Sequence, residues 1–366
     1  MMRTVLLGDI CDIKIGRTPP RKQLQWFSES HGIKWVSIKD MGNTGKYISQ
    51  TSEFLTADAI KKFNIPIIPA GTLLMSFKLT VGRLGFTEYD MCSNEAIAQL
   101  PIKDPDIVDK NYLYYYLKNF NFGSLSSTSS IATAVNSKTV KNISVNLPPL
   151  DQQKKIADIL SSLDEKIELN RRMNETLEQL GQALFRHYFV DNLEAKSWKN
   201  IHLGDIATVT TGKGSTRANL SESGKYLLYG ANGVMGRSQN YLLNEKVIIT
   251  GRVGTLGAVR AVVDKAWFSD NVIIMKPDPS IFGYVFYVVC GIDYASLNRG
   301  STQPLITQTD LKNQRVKLPP LSTLQRFENS YAVIFNQIQA NKCQMSTLVA
   351  IRDSLLPKLI SGEIEI

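Results

Sequence analysis

The sequence predicts an α+β protein with two mixed α/β globular modules in tandem, each followed by a long helix. The two helices are expected to form an antiparallel coiled coil, which gives the chain pseudo-two-fold symmetry. The prediction rests on an internal repeat, which determines the architecture before any chemistry is considered. Leu-Gly-Asp-Ile occurs at 7–10 and 203–206, and Leu-Pro-Pro-Leu occurs at 147–150 and 318–321. An apolar heptad pattern follows each Pro-Pro pair.

The repeat divides the 366 residues into four expected parts. Proline is disfavoured inside a helix but tolerated at its beginning, so each Pro-Pro pair marks the boundary between a module and its helix. Each module is long enough to form its own core. The expected parts are a first module over 1–150, a first helix over 151–192, a second module over 193–320 and a second helix over 321–366.

The two modules share several predicted elements. Residues 72–77 and 246–250 are expected to be strands, with Gly-rich turns after them. Residues 111–120 and 282–290 are apolar and rich in aromatic side chains, and each segment is expected to be a buried helix or strand. The remainder of the modules aligns loosely, as expected for one scaffold with two different surfaces.

Both helical segments carry apolar residues at alternating steps of four and three, which is typical of a coiled-coil seam. Asn170 and Asn341 occupy the same seam position, where a buried asparagine would determine the register; the alternative is that both face solvent. Arg352 aligns with Gly181. The other seam residues are Ile156, Leu160, Leu163, Ile167, Asn174, Leu177, Leu184 and Tyr188 in the first helix, and Phe327, Tyr331, Ile334, Ile338, Met345, Leu348, Leu355 and Leu359 in the second.

The ends of the helices have recognisable signals. Asp151 and Ser322 follow the Pro-Pro pairs as N-cap or first-turn residues. Pro357 predicts a kink or an early end in the second helix, and Ser361-Gly362 is a suitable stop. A helix of about 39 residues would be roughly 58 Å long at 1.5 Å per residue.

The net charge of +9 is confined to the modules. Residues 1–150 and 191–320 each carry +5, whereas 151–190 carry −1 and 321–366 carry 0. Basic surfaces attract polyanions, so two equally basic modules indicate two contacts with one nucleic acid. The alternative is the ordinary solubility of a basic protein.

The four cysteines are widely spaced and form no Cys-x-x-Cys pair, and the sequence contains three histidines. Neither a zinc site nor a disulfide framework is therefore expected, which fits a reducing cytoplasm. A signal peptide is not expected, because Asp9 and Asp12 interrupt the apolar N-terminal residues. The longest apolar run, 281–292, is too short to span a bilayer.

Catalytic motifs are not recognisable. The Gly-rich segments lack the Gly-Lys-Ser/Thr ending of a P-loop, and 211–215 and 251–254 do not match a dinucleotide-binding loop. Leucines flank both Pro-Pro pairs, so no amide or carboxylate is placed there to hold an amine, as it would be in an amino-methyltransferase. The scattered histidines give little support to nucleophilic catalysis. Asp164 and Glu165 lie within the helical pattern and are expected to be a solvated face rather than an acid–base pair.

The order of these motifs in two copies resembles the specificity subunits of Type I restriction–modification enzymes over the whole chain. The first module departs from the pattern, because Ser130-Ile131-Ala132-Thr133 stands where the second has Ser301-Thr302-Gln303-Pro304, so the contacts of that loop are expected to differ. Besides the repeated motifs above, the segments that carry the resemblance are Trp35-Val36-Ser37-Ile38-Lys39-Asp40-Met41, Tyr229-Gly230-Ala231-Asn232-Gly233-Val234 and Leu355-Leu356-Pro357-Lys358-Leu359-Ile360-Ser361-Gly362-Glu363-Ile364.

The resemblance implies that each module is a target recognition domain that reads one half of a split, asymmetric sequence in double-stranded DNA. It implies that the helices act as a spacer and dock two methyltransferase subunits, which bind S-adenosylmethionine and methylate adenine. ATP-dependent restriction and translocase subunits would join them. The chain itself would be a non-catalytic, cytoplasmic member of the restriction system, without a cofactor or metal of its own.

Such a module needs phosphate contacts for position and base-edge contacts for sequence. The sequence offers cationic and amide side chains in loops for both roles. The expected phosphate ligands are Lys39, Lys78, Arg83, Lys213, Arg217 and Arg252, and the expected base readers are Asn94, Asn232, Arg237, Asn271, Arg299 and Gln303.

Two other function classes are weighed against this one. A two-lobed coiled-coil scaffold that binds only proteins would have the same architecture but no sequence-specific binding of DNA. An enzyme with a duplicated fold would need a cluster of carboxylates or histidines, which the sequence does not offer.

Overall fold

A computed structural model describes residues 2–42, 45–126, 136–214 and 216–366. The chain forms two compact units: unit 1 comprises Met1–Arg172 and Lys342–Ile366, and unit 2 comprises Met173–Asn341. Each unit therefore contains one module, part of the long helix that follows it and part of the other long helix. Both long helices thus contribute residues to both units, and the four-part division expected from the repeat stays a prediction.

Unit 1 contains three sheets and begins the first long helix. Its strands are β1 (Arg3–Leu6), β2 (Lys14–Ile15), β3 (Phe27–Ser28), β4 (Ile33–Val36), β5 (Tyr47–Ile48), β6 (Glu53–Leu55), β7 (Leu73–Ser76), β8 (Leu84–Thr87), β9 (Cys92–Ser93), β10 (Ile97–Leu100) and β11 (Ser144–Leu147). Its helices are α1 (Leu7–Ile10), α2 (Ile38–Met41), α3 (Ala57–Lys62), α4 (Lys110–Lys118), α5 (Ser137–Lys141) and α6 (Leu150–Phe185), of which α6 continues into unit 2.

Unit 2 has the same kinds of element. Its strands are β12 (Lys199–His202), β13 (Ala207–Thr211), β14 (Tyr226–Gly230), β15 (Gly233–Ser238), β16 (Val247–Gly251), β17 (Arg260–Val262), β18 (Ala266–Phe268), β19 (Val272–Pro277) and β20 (Arg315–Leu318). Its helices are α7 (Thr216–Asn219), α8 (Phe282–Cys290), α9 (Gln308–Lys312) and α10 (Leu321–Ser361), of which α10 ends in unit 1.

The two modules repeat one topology. In each, the first strand pairs with the last, β1 with β11 and β12 with β20. A larger sheet follows, with strand order β2-β10-β7-β8-β5 in unit 1 and β13-β19-β16-β17 in unit 2. A side sheet contains a parallel pair, β4 with β9 or β14 with β18. The predicted strands at 72–77 and 246–250 correspond to β7 and β16, and both aromatic segments are helices, α4 and α8.

Repeated sequence motifs pack against each other, which explains why they recur. A Cβ on Gly8 would lie 3.0 Å from the Cβ of Lys141, and one on Gly204 would lie 3.2 Å from the Cβ of Lys312. The leucine before each glycine is fully buried. Its backbone N–H donates to a carbonyl two residues after the lysine, that of Ile143 or Gln314. Leu-Gly-Asp-Ile is therefore a structural motif, in which a side chain larger than that of glycine would force the facing lysine to shift.

The long helices begin where the Pro-Pro pairs predict. Helix α6 starts at Leu150 and α10 at Leu321, so Asp151 and Ser322 are first-turn residues. After Phe185 the chain forms a π-helical turn, Arg186–Val190, which replaces the end of the helix expected at 192.

Helix α10 does not end at Pro357 but continues to Ser361. A proline inside a helix costs roughly 3 kcal/mol. Leu359 and Ile360, which follow it, are almost fully buried in the core of unit 1, and burying each such side chain contributes about 1.5–3 kcal/mol. The free energy gained by burying these two side chains thus exceeds the cost of the proline. Gly362, with φ of 78°, follows the end of the helix.

Each unit has a core that joins the larger sheet, a short aromatic helix and the long helices. In unit 1, Tyr112 and Tyr115 of α4 pack with Leu160 of α6 and Leu356 of α10. In unit 2, an aromatic cluster around Phe327 has the same role. Within the described residues, no helix has the length and apolar character needed to cross a membrane.

Candidate nucleic-acid interface

The four candidate residues of unit 1 lie on turns that contact one another. Lys39 is exposed on α2, and Lys78 is exposed at the end of β7. The backbone N–H of Asn94, which lies between β9 and β10, donates to the backbone carbonyl of Val36, just before α2 (3.0 Å). The amide of Phe77 donates to the carbonyl of Ala96 (2.9 Å). These bonds bring the turns that carry Lys39, Lys78 and Asn94 together, and the half-buried Asn94 accepts from the backbone N–H of Ala96 through Oδ1 (3.1 Å).

Arg83 is partly used inside unit 1. Its Nη1 donates to the carbonyl of Ile38 (2.6 Å), and the side chain is half-buried. A Cβ on Gly42 would lie 2.7 Å from the Arg83 Cζ, so the guanidinium occupies the space beside the end of α2. Arg83 stabilises the turn that presents Lys39, and its role as a phosphate ligand stays a prediction. The departure at Ser130–Thr133 lies outside the described residues.

In unit 2, three loops meet at the carboxyl end of β16. The amide of Arg252 donates to the carbonyl of Asn271 (2.8 Å), and the Arg252 carbonyl accepts from the amide of Ile306 (3.0 Å). The amide of Gly254 donates to the carbonyl of Pro304 (2.8 Å). These bonds join the loop after β16 to the turn between β18 and β19 and to the loop before α9.

Candidate side chains emerge from all three loops. The Arg252 guanidinium is 3.5 Å from the carbonyl of Asp270, and Asn271 is half-buried beside it. Gln303 is exposed, and its Nε2 would lie 3.4 Å from a Cβ on Gly254. Gly254 has φ of 81°, a conformation that glycine adopts without strain. The loop turns sharply there and brings Arg252 and Gln303 to the same surface.

Arg299 supports this loop cluster through an ion pair. Its Nη2 contacts the carboxylate of Asp310, whose side chain is 7% exposed. Burial alone would raise the pKa of the Asp310 carboxyl. Hydrogen bonds from Thr307 and from the Arg299 guanidinium have the larger combined effect, so the pKa lies below its usual value. Asp310 and Thr307 form a capping box at the start of α9. Arg299 is therefore partly engaged in positioning the loop before α9.

The remaining candidates of unit 2 lie around the side sheet. Asn232 is exposed in the turn between β14 and β15, and its carbonyl is 3.5 Å from Nη2 of Arg260. Arg237 is exposed on β15, and its Nη1 donates to the carbonyl of Lys225 (3.1 Å). Arg217 is exposed on α7, which follows the Lys213 loop.

Sequence reasoning missed Arg17, which occupies the place of Lys213. Both side chains are exposed and follow a buried glycine. The amide of Arg17 donates to the carbonyl of Ser93 (2.9 Å), and the amide of Lys213 donates to the carbonyl of Phe268 (2.9 Å). The signal was present, because an ungapped alignment of the two Leu-Gly-Asp-Ile segments pairs these residues.

The helix asparagines are buried. Asn170 is 1% exposed and donates to Oε1 of Gln344 (2.7 Å) in unit 1. Asn341 is 4% exposed and donates to Oδ1 of Asn174 (2.8 Å) in unit 2. Each hydrogen bond joins α6 to α10, so the solvent-facing alternative is wrong. The effect of these bonds on register stays a prediction.

The expectation of a solvated face at Asp164 is wrong, although Glu165 is exposed. The Asp164 side chain is 9% exposed and forms an ion pair with Arg352 (2.6 Å). It also accepts a hydrogen bond from the Tyr115 hydroxyl (2.8 Å). These partners come from α10 and α4, which the local sequence around Asp164 could not reveal.

The described residues do not bring together three or more His, Cys, Asp or Glu side chains that could hold a metal ion. Burial raises the pKa of the Cys11 thiol to about 12 and that of Cys92 to about 11. The thiolate is the nucleophilic form of cysteine, so these two side chains are suited to packing. What the geometry offers is surface binding by cations and amides.

Comparisons with known proteins identify relatives over the whole chain. The family model described as Type I restriction modification DNA specificity domain matches residues 2–179 and 195–338. The Type I restriction enzyme MjaIX specificity subunit of Methanocaldococcus jannaschii is 27% identical over 412 residues, which cover 98% of this chain and 93% of that protein.

One further relative matches a short segment of this chain, and one solved structure matches nearly all of it. The Type I restriction enzyme HindI specificity subunit of Haemophilus influenzae is 53% identical over 53 residues, which cover 14% of this chain and 12% of that protein. The crystal structure of a Type I restriction-modification system S subunit from M. genitalium has a TM-score of 0.64 and 18% identity, and the match covers 98% of this chain and 96% of that one. The match to the S subunit from M. genitalium shows that the two chains have similar folds.

Proposed function

Because this chain belongs to the family of Type I restriction modification DNA specificity domains, we propose that it is the sequence-recognition subunit of a Type I restriction-modification enzyme. In this role the chain is non-catalytic. It reads a bipartite, asymmetric target in double-stranded DNA, with one half-site for each globular module. The observation that carries the proposal is the duplication of one scaffold with different loops, because a common scaffold with two different surfaces suits two different half-sites.

The loop clusters supply the two kinds of contact that sequence recognition requires. Cations such as Lys39 and Arg252 suit phosphate oxygens, and amides such as Asn94, Asn271 and Gln303 suit base edges. The charge of +5 on residues 1–150 and again on 191–320 adds a sequence-independent attraction to the duplex.

The proposed partners are double-stranded DNA, two methyltransferase subunits and restriction subunits. Methyltransferase subunits would dock on the long helices and would carry S-adenosylmethionine, so the chain needs no cofactor of its own. Leu169 of α6 and Val333 of α10 support such docking, since they are 53% and 71% exposed on the long helices.

The decisive experiment is a methylome of the host with the gene intact, deleted and restored. The expected result is a split adenine-methylation motif that disappears on deletion and returns on restoration. A restored gene that carries Asn271→Ala and Gln303→Ala is expected to return a motif altered in one half. An unchanged methylome after deletion, in a host whose methyltransferase partner is expressed, would contradict the proposal.

Gel shifts test the alternative of a scaffold that binds only proteins. The purified full-length chain should retard genomic fragments that contain the split motif more strongly than fragments without it, and binding should weaken as salt increases. Equal retardation of both fragment sets would favour the scaffold. Methyl transfer by the isolated chain would contradict its non-catalytic role.

A further inference from the structure

The loop after the second strand of each module makes the same backbone contacts in both units. Gly16 and Gly212 are both buried, and a Cβ on either would collide with two backbone carbonyls of the facing turn. The next residue, Arg17 or Lys213, donates its amide to that turn at 2.9 Å in both units. The facing turn follows β9 in unit 1 and β18 in unit 2.

In both units an indole N–H donates a hydrogen bond to this loop, but the two tryptophans lie on different strands. The Trp35 indole N–H donates to the carbonyl of Arg17 (3.2 Å), and the Trp267 indole N–H donates to the carbonyl of Lys213 (3.0 Å). Trp35 lies on β4, the first strand of the parallel pair in unit 1. Trp267 lies on β18, the second strand of the corresponding pair in unit 2. Non-equivalent tryptophans thus hold the same carbonyl in place.

The cations that these loops carry are exposed. Nη1 of Arg17 donates to the carbonyls of Phe63 (3.1 Å) and Asn64 (3.0 Å), which orients the guanidinium. An arginine has five N–H donors, and among the described residues the Nε and Nη2 donors of Arg17 have no acceptor, so they are available to a ligand. Lys213 presents an ammonium group at the corresponding place.

We infer that Arg17 and Lys213 are equivalent phosphate-contacting residues, one in each unit, and that an indole N–H positions each of them. This inference rests on the proposed function. The two modules differ in the loops suited to reading bases, but they share this loop. A contact common to two modules that read different sequences suits the part of DNA that does not vary, which is the sugar–phosphate backbone.

Both loops have an acidic neighbour. Thr18 donates to the carboxylate of Glu95 in unit 1. Asp270, whose backbone N–H donates to the carbonyl of Gly214 (3.0 Å), stands at the corresponding place in unit 2. The carboxylate of Glu95 opposes an approaching phosphate, so Glu95→Gln is expected to strengthen binding through unit 1.

The test measures how the affinity of the purified full-length chain depends on salt. The probes are a duplex with the methylome-derived motif and a scrambled duplex of the same length. Each neutralised phosphate contributes about 0.9 to the slope of log K against log salt. Arg17→Gln and Lys213→Gln should each reduce the slope by about 0.9 on both duplexes, and the double variant by about 1.8.

Charge-preserving and remote variants serve as controls. Arg17→Lys and Lys213→Arg should retain the wild-type slope, which shows that folding is intact. Lys155→Gln on α6 and Lys199→Gln on β12 remove exposed cations that lie on other elements, and they should leave the slope unchanged.

Three outcomes would overturn the inference. Wild-type slopes in Arg17→Gln and Lys213→Gln would show that these cations contact no phosphate. A loss of affinity confined to the motif duplex would show base reading instead. A wild-type chain that binds neither duplex would overturn the proposed function, and this inference with it.

Discussion

Arg352 of α10 and Asp164 of α6 form a nearly buried ion pair in unit 1, with Nη1 2.6 Å from Oδ1 and side chains 15% and 9% exposed. Asp164 also accepts from the Tyr115 hydroxyl and lies 3.8 Å from Nζ of Lys118. The pair therefore joins both long helices to the short aromatic helix α4. In the repeat, Arg352 aligns with Gly181, so one seam position serves two different purposes.

Removal of Arg352 should destabilise unit 1. Arg352→Met leaves the Asp164 carboxylate buried without its closest partner, and breaking a buried pair in this way costs about 3 kcal/mol. Chemical denaturation measures the change. The control is Arg186→Met, which removes an ion pair with Asp191 whose side chains are 72% and 55% exposed. That change should be about 1 kcal/mol or less, and equal effects of the two substitutions would contradict the prediction.

Gly181→Ala should destabilise unit 2, although the same exchange inside a helix is ordinarily favourable by about 1 kcal/mol. The reason is that a Cβ on Gly181 would collide with Oη of Tyr287 and lie 3.0 Å from its Cζ. Overpacking of this kind costs about 1–3 kcal/mol. Thermal unfolding provides the measurement.

Tyr287→Phe supplies the matched background for that prediction. It removes the colliding hydroxyl, so Gly181→Ala should become neutral or stabilising there. A destabilisation that persists unchanged in the Tyr287→Phe background would show that the hydroxyl is not the obstacle.

The sequence was most informative where packing is local and periodic. The heptad pattern predicted both long helices, and the β7 and β16 strands followed from short apolar runs. It failed where a partner is distant in the chain: Asp164 was assigned to a solvated face because its partner Arg352 lies 188 residues away. An end of α10 at Pro357 was expected as one alternative, but the helix continues to Ser361. The burial of Leu359 and Ile360 depends on a core that a local signal does not describe.

The candidate interface was predicted less completely than the fold. The loops stay the predicted places of DNA contact. The use of Arg83 and Arg299 as internal supports depends on carbonyl and carboxylate partners that only the folded chain brings near. Arg17 was not predicted because it lies in the segment after Leu-Gly-Asp-Ile that the two modules share, and not in a loop where they differ.

Lys46 should make the stability of unit 1 depend on pH in the alkaline range. Its Nζ donates to Oγ of Ser161 (2.8 Å) and lies 5.1 Å from the ring centroid of Tyr115. Burial lowers the pKa of Lys46 below its usual 10.5, and nearby carboxylates, Asp164 first, oppose that shift only in part. The folded chain therefore releases this proton at lower pH than the unfolded chain does.

The sign follows from proton linkage. Between the folded pKa and 10.5, the unfolded chain binds more protons, so the contribution of Lys46 to the free energy of unfolding rises with pH. Lys46→Met lacks this contribution. The difference in stability between wild type and Lys46→Met should thus shift in favour of wild type as pH approaches 10.5, measured by denaturation at a series of pH values. A difference that stays constant with pH would contradict the assignment.

Substitutions in one module should alter one half of the methylated motif. Asn271→Ala or Gln303→Ala in unit 2 removes an amide suited to paired hydrogen bonds with a base, a contact that contributes about 1–3 kcal/mol of discrimination. Methylome sequencing should then show relaxed specificity at a position in one half-site while the other half-site is unchanged. Asn94→Ala in unit 1 is the reciprocal control and should relax the opposite half. If a single substitution relaxed both halves, the modules would not read DNA independently, and the assignment of one half-site to each module would be wrong.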